Sequence, residues 1–485
     1  MRMGILRYSA FLFLLLMLTA SLAFGGGFTF DGIGVKARGM GGAFRAVADD
    51  WSAAYYNPAG YARIQDNYIA ANLAAMHNRY WTKPNIYWGD QYESGFFNGQ
   101  DIANHHEILN VPQGGILARL PVWGETVFGF SIIQSFDQNL NWELYQNLPG
   151  YNPQDYPDRQ FHNNLDAVEF QVTAARNFLD DKLSLGVGLA VVRGDLYFTD
   201  VVLHRNPMPS PISDRPYEKI PQWYRADGNG WGFGLRAGLL YDLTEKLSGA
   251  FVVSGPTSMN ITGETESRFY MPLNPSAIQN YGYRPGDEEY LFSAGEIVMI
   301  KSDFETDIDL PASIAGAISY QVNDKLTVAV DAEMTFWSSF KGYDFSFTKF
   351  EGLKDPSFVN ANDSLLTRQH ALPVVWDDAF RVMAGANYRA LRFLELRAGF
   401  GFDQSPVTGE TFTPYFFDLG DKLSVSFGFG FEVNQWNLDF ATGYTKQDDL
   451  TVSEMTFNDD GTLKNMTGDY RGTNYQTVLG ISYRF

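Results

Sequence analysis

The chain has 485 residues, enough for one large domain or about three average ones. It contains no cysteine, which excludes disulfides, thiolate metal sites and thiol catalysis. A formal charge of −20 disfavours nucleic acid as a partner.

The N-terminus carries a short basic stretch, Arg2 to Arg7, and then an apolar run from Tyr8 to Leu18. That run is too short to cross a bilayer core of about 30 Å as a helix. Ser21 and Ala23 stand at the −3 and −1 positions of a cleavage site. Residues 1–23 are therefore expected to be a signal peptide, and the protein to be exported. No later run approaches the length of a transmembrane helix. Mean hydropathy is −0.21. A transmembrane β-barrel has a similar value, because only alternate residues face lipid.

Residues 24–63 are rich in glycine and alanine and lack strand periodicity. The segment is too small to be a domain, and it is expected to plug the lumen of a barrel. Gly32, Gly34 and Ala37 fit the spacing of a dinucleotide-binding loop. That loop needs a strand before it and a helix after it in a βαβ unit, and neither context is present, so no cofactor is expected. The acidic pairs Asp49–Asp50 and Asp459–Asp460 read as hydrogen-bond acceptors in turns or in the plug.

Residues 64–485 are expected to form the barrel, and from residue 164 onward the chain alternates strictly, segment after segment. In the clearest, Leu423, Val425, Phe427, Phe429, Phe431 and Val433 face one way, and Ser424, Ser426, Gly428, Gly430 and Glu432 the other. A period of two is that of a β-strand. About fourteen strands are predicted, near 66–77, 111–121, 125–137, 164–179, 182–203, 229–243, 246–266, 297–322, 325–345, 377–390, 392–404, 420–434, 436–446 and 467–485. Short turns such as Asp180–Lys182, Asn323–Lys325 and Asn434–Gln435 alternate with long polar stretches at 78–110, 138–162, 204–228, 268–296, 346–376, 405–419 and 446–466. Short turns at one end and long loops at the other mark an outer-membrane barrel. Alternation also suits a soluble sandwich. The bulky, continuous apolar face, ending in Tyr, Trp or Phe, favours lipid, as does an aromatic content of 16%. The fold expected is all-β: a transmembrane antiparallel barrel with an N-terminal plug. Its polar face carries Asp331, Glu333, Arg381, Glu395, Arg397, Asp403 and Asp439, read as lumen charges that neutralise one another. The last strand ends on Phe485, similar to the signal read by the outer-membrane assembly machinery.

Four blocks carry a family resemblance: ARGMGGAFRAVADDWSAAYYNPAG (37–60), LPASIAGAISYQVNDKLTVAVDAEMTFWSSF (310–340), WDDAFRVMAGANYR with LRAGFGFDQSPV (376–407), and the ending GTNYQTVLGISYRF. Together they resemble the FadL-type outer-membrane transporters of long-chain fatty acids and aromatic hydrocarbons. The resemblance implies a fourteen-stranded barrel closed from the periplasmic side by its N-terminal hatch. It implies passive uptake: a hydrophobic ligand binds in the barrel and leaves sideways through the wall where the third strand is kinked. The hatch motif falls on Asn57, Pro58 and Ala59, the gating candidates. Pro58 fixes its own backbone and biases Asn57 toward extended geometry, and Asn57 is placed to tie hatch to wall. The kink falls near Ser135, Phe136 and Asp137, where the glycine expected of the family is missing.

Catalysis is not expected. His105–His106–Glu107 lacks the spacing of a metalloprotease helix, no G-x-S-x-G elbow occurs, and no metal site is predicted. The expected partners are hydrophobic small molecules, outer-membrane lipid with lipopolysaccharide, and the assembly machinery, with the chain acting as a monomer. Two alternative functions keep the same architecture: a general porin, which needs an open lumen, and a structural or secretion-associated barrel.

Overall fold

The computed structural model describes residues 27–87, 95–105, 108–122, 125–146, 151, 160–351, 370–416, 418–459 and 461–485. The expected signal peptide, the first residues of the expected plug (24–26), His106, Glu107 and Asp460 lie outside these.

Fourteen antiparallel strands close into one ring. They are β1 (Tyr68–Pro84), β2 (Ile108–Leu120), β3 (Thr126–Trp142), β4 (Phe161–Phe178), β5 (Leu183–Arg205), β6 (Lys219–Asp242) and β7 (Leu247–Ser254). The ring continues with β8 (Ser313–Asn323), β9 (Leu326–Thr335), β10 (Ala379–Leu391), β11 (Leu394–Asp403), β12 (Lys422–Val433), β13 (Trp436–Gln447) and β14 (Gly468–Arg484). Each pairs with its neighbours in sequence. β14 closes on β1 from Tyr68↔Arg484 to Pro84↔Gly468. Closure removes the sheet edges that lipid cannot solvate.

The alternating residues sort as the period requires. Phe427 (62% exposed), Phe233 (77%) and Leu189 (62%) point outward, and Ser426, Asp331 and Arg397 are buried within. The rise from Phe485 to Tyr475 along β14, at about 3.3 Å per residue and about 40° of tilt, is roughly 25 Å, the height of a lipid-facing band. An outward row this apolar is stable only against hydrocarbon. Phe427→Arg is expected to destabilise the barrel in lipid by about 2–4 kcal/mol, read from urea unfolding in vesicles. A loss near zero would mean that this face does not contact lipid.

The two ends of the barrel, Tyr68 and Arg484, and the short turns lie at one end. Tight turning there is met by left-handed backbone at Leu179, Asp180, Asp181 and Asn434. At the other end, several strands are longer than alternation indicates. β6 starts at Lys219, within the stretch 204–228 expected to be loop. β7 resumes after Gly255–Pro256 as Thr257–Tyr270, which pairs with Ile297–Leu310 before Pro311 leads into β8. The expected strands at 246–266, 297–322 and 325–345 are thus each broken in two. Above the lipid band the outward face meets water, so its residues turn polar and the apolar alternation disappears while pairing continues. Pro256 and Pro311 sit at the first two breaks, since proline cannot donate to the ladder, and the third is a 3-10 turn, Trp337–Ser339. The expected loop 268–296 holds two short helices, Pro275–Tyr281 and Glu288–Leu291.

Candidate functional site: hatch, lumen and wall opening

Residues 27–66 touch the inward face of strands on every side of the ring, so they lie within it. The segment forms helix α1 (Val35–Gly39), helix α2 (Ala53–Tyr56) and a 3-10 turn, Pro58–Arg63. Glycines on the wall let its backbone come close. A Cβ at Gly186 would lie 2.3 Å from the Ala59 nitrogen, and one at Gly399 would lie 2.1 Å from the Gly41 nitrogen.

Asn57, Pro58 and Ala59 lie at such a contact and are fully or nearly fully buried. The Asn57 Nδ2 donates to the Arg45 carbonyl (2.9 Å) and to the Leu239 carbonyl of β6 (3.2 Å), while its Oδ1 caps the Ala59 N–H (3.1 Å). One side chain therefore ties hatch to hatch and hatch to wall. Asn57→Ala leaves buried groups without partners, at about 1–3 kcal/mol. Faster hydrogen exchange across residues 45–60 is the expected result, and unchanged protection would remove Asn57 from the latch.

The lumen charges meet the hatch. Asp331 Oδ2 accepts from the backbone N–H of Phe44 (3.0 Å) and Arg45 (2.9 Å), and Glu333 receives Arg45 Nη2 (2.7 Å). Arg381 joins Asp31 of the hatch and Asp403 of the wall, each at 2.9 Å. Arg397 links Glu395 (3.0 Å) and Asp439 (2.5 Å), and Glu395 faces Lys36 at 3.9 Å. Each of the seven thus has an opposite charge. Asp49 pairs with Lys36 (2.7 Å). Asp50 accepts from the Ser52 hydroxyl, and burial pushes its carboxyl up to about 6 despite that bond. Among the described residues no cluster of His, Cys, Asp and Glu has the form of a metal site. Arg45 is 5% exposed, so Arg45→Met strands two buried carboxylates at a cost of about 3–5 kcal/mol. The Phe44 amide should then exchange much faster, and exchange at the wild-type rate would show that this pair does not hold the hatch.

Ser135, Phe136 and Asp137 lie just above the point where β2 and β3 stop pairing. β2 and β3 pair from Leu120↔Thr126 to Gly114↔Ile132 and no further among the described residues. Above that point Ile108–Gln113 pairs with β1, and β3 pairs with β4. Pro112 has no N–H to offer the gap. The gap ends where the His105 N–H donates to the Asn141 carbonyl (2.8 Å). Ser135 is an extra residue in β3: Gln134 opposes Val168 and Phe136 opposes the next residue, Ala167. Such a bulge bends a strand and frees its backbone groups. The hatch takes them up. The Phe30 N–H donates to the Ser135 carbonyl (3.0 Å), and the Asp137 N–H donates to the Phe28 carbonyl (3.3 Å).

Beside the gap is a small cavity of about 70 Å³, of mixed polarity, bounded by Phe28, Met76, Tyr80, Asp137, Gln138 and Leu140 among others. Aromatic side chains fill the lumen above. Phe28 lies 4.9 Å from Trp337 and 5.9 Å from Phe136, and the packing continues through Phe340 and Trp376 to Phe416 and Tyr343.

Two components were not anticipated. The stretch 405–419, expected to be a polar outer loop, folds inward, with Phe412, Tyr415, Phe416 and Leu419 buried. The Tyr415 carbonyl accepts from Gln138 and Asn163, and Asp418 accepts from the Gly27 N–H and pairs with Lys422. The signal was the sequence TFTPYFFDL, too aromatic for a solvated loop. The other is Arg236, paired with Glu169 (3.2 Å) and stacked 4.6 Å above the Tyr55 ring of the hatch. Only the register across strands brings these together.

Comparison with known proteins gives three findings. The family model of the outer membrane protein transport proteins (OMPP1/FadL/TodX) matches residues 16–485. Among solved structures, a Pseudomonas aeruginosa FadL homologue superposes with a TM-score of 0.71 at 17% identity, covering 95% of this chain and 100% of that one. The P. putida toluene transporter TodX superposes with a TM-score of 0.67 at 16% identity, covering 94% and 99%. At these identities the likeness shows the fold. A Neisseria meningitidis serogroup B protein, provisionally named as an outer-membrane protein, is 20% identical over 291 residues, 59% of this chain. The match spans 57% of the length of that relative.

Proposed function

The chain belongs to the OMPP1/FadL/TodX family of outer membrane transport proteins, and from that premise we propose that it carries hydrophobic compounds passively across the outer membrane and releases them sideways through its wall. Its cargo is of the long-chain fatty acid or aromatic hydrocarbon class; proteins of the same fold include toluene transporters. The observation that carries this reading is the gap between β2 and β3, with an aromatic interior behind it.

The physical logic follows from solvation. An apolar solute gains about 0.8 kcal/mol for each CH₂ it removes from water, so an aromatic lumen extracts it from the medium. Descent to the periplasm is blocked by the hatch and its ion pairs, where a hydrocarbon would desolvate charges. The gap offers an exit into hydrocarbon instead. Movement of the hatch start, which pairs with the bulge, would vary the affinity and permit release. Residues 1–23 then serve as the export signal, 24–63 as the hatch and 64–485 as the barrel.

The deciding experiment is uptake of labelled oleate and of toluene by cells lacking the gene and by cells with it restored. Restoration of either is the expected result. Unchanged uptake of both, with the folded protein present in the outer membrane, would refute transport.

A further inference from the structure

The outward face of the ring changes character where its apolar band ends, and it does so differently on two sides. On β13, β14 and β1 the band ends at Tyr444, Tyr475 and His77, which stand in one row (Tyr444↔Tyr475, His77↔Tyr475). The next outward row is Lys446, Thr473 and Arg79, again aligned across the three strands. Above it Arg471 stands opposite Trp81. Arg79 lies 6.0 Å from the Tyr475 ring centre and Arg471 lies 5.7 Å from that of Trp81. Lys446 and Arg79 are exposed and have no ion-pair partner among the described residues. Arg471 reaches Asp101 at 3.4 Å, with both side chains more than half exposed.

The other side is acidic. The first outward residues above Trp231 on β6 are Asn229 and Asp227. Beside them on the paired extensions stand Glu264, Asp303, Glu305 and Asp307. Cations occur there too, but Lys349 is paired with Asp303 (2.5 Å) and Arg225 lies near Glu266 (3.9 Å), within a surplus of carboxylates, whereas the β13–β14–β1 rows hold Lys446, Arg79 and Arg471 with no carboxylate among the facing residues of those rows.

We propose that Lys446, Arg79 and Arg471 form a binding site for the phosphate groups of a phosphorylated lipid of the outer leaflet. The aromatic row fixes the height of the site at the boundary between hydrocarbon and headgroup. Two guanidinium groups and an ammonium suit phosphate oxygens, and each basic residue at such a surface strengthens the attraction to anionic lipid. Tyr475 and Trp81 lie within cation–π reach of the two guanidinium groups, which restricts their side chains before binding. The acidic sector repels the same headgroups and confines the lipid to this arc. The inference rests on the outer-membrane placement and is independent of the cargo and of the exit route.

The test uses the full mature protein in phosphatidylcholine nanodiscs containing lipid A, with or without its phosphates, and counts retained lipid by native mass spectrometry. Wild type should retain the phosphorylated form about tenfold or more over the stripped form. The triple variant Lys446→Gln, Arg79→Gln, Arg471→Gln should lose that preference. A control removing equal charge elsewhere, Arg225→Gln, Lys301→Gln, Lys349→Gln, should keep it. Should the triple variant fail to fold, Arg79→Gln is expected to weaken the preference and Arg79→Lys to retain most of it. Equal retention by wild type and triple variant, or equal loss in the control, would overturn the proposal. Toluene uptake by the triple variant should match wild type, so failure of transport and failure of this site are separable.

Discussion

Deletion of Ser135 is expected to reduce uptake to the background of cells lacking the gene, while the barrel still folds. The reason lies in the register. Ser135 is the residue in excess: on its two sides Gln134 faces outward opposite Val168, and Phe136 faces inward opposite Ala167. Removing it leaves both facings unchanged, because the strand on either side already alternates correctly with respect to β4. What is lost is the bend. β3 can then run straight beside β2 above Ile132, and the gap narrows or closes. The hatch also loses its bond from the Phe30 N–H to the Ser135 carbonyl. Ser135→Ala keeps the extra residue and should transport normally. Initial rates for oleate and toluene, with heat-shifted gel mobility as the check on folding, decide the matter. Normal uptake by the deletion variant would place the exit elsewhere.

Removal of residues 24–62 is expected to turn a nearly non-conducting barrel into one with large, steady channels in planar bilayers. Fourteen strands enclose a lumen wide enough for water unless something fills it. The hatch fills the periplasmic half, and its charged partners Asp331, Glu333, Arg381 and Asp403 would line an open passage once it is gone. Some obstruction remains at the other end, where Tyr415 and Phe416 pack inward against β3 to β5 and the aromatic lumen. Unchanged conductance would mean that this inward loop, and not the hatch, is the barrier. Substituting Asn57 or Arg45 alone should produce brief openings, because each removes one tether and leaves the others.

The contrast between what could be read from the chain and what could not follows from the range of the interactions. Strand positions, facing and barrel class were legible because lipid imposes a local rule: each second residue is apolar. Leu423 to Val433 carries that rule without any knowledge of its neighbours. The rule ends with the lipid, so alternation alone places the start of β6 about ten residues late and does not separate the paired extension at 257–270 and 297–310 from the strands it continues. Asn57–Pro58–Ala59 and the seven lumen charges could be named from motif and alternation. Their partners could not, because Arg45 and Asp331 lie 286 residues apart in the chain. The bulge at Ser135 left only a weak trace, since an extra residue is recognisable only against the strand it opposes. The inward fold of residues 405–419 and the parting of β2 from β3 belong to the closed ring alone. Local periodicity fixes which face of a strand meets lipid, whereas hydrogen-bond register and chain closure fix what stands opposite what, and no single segment carries that information.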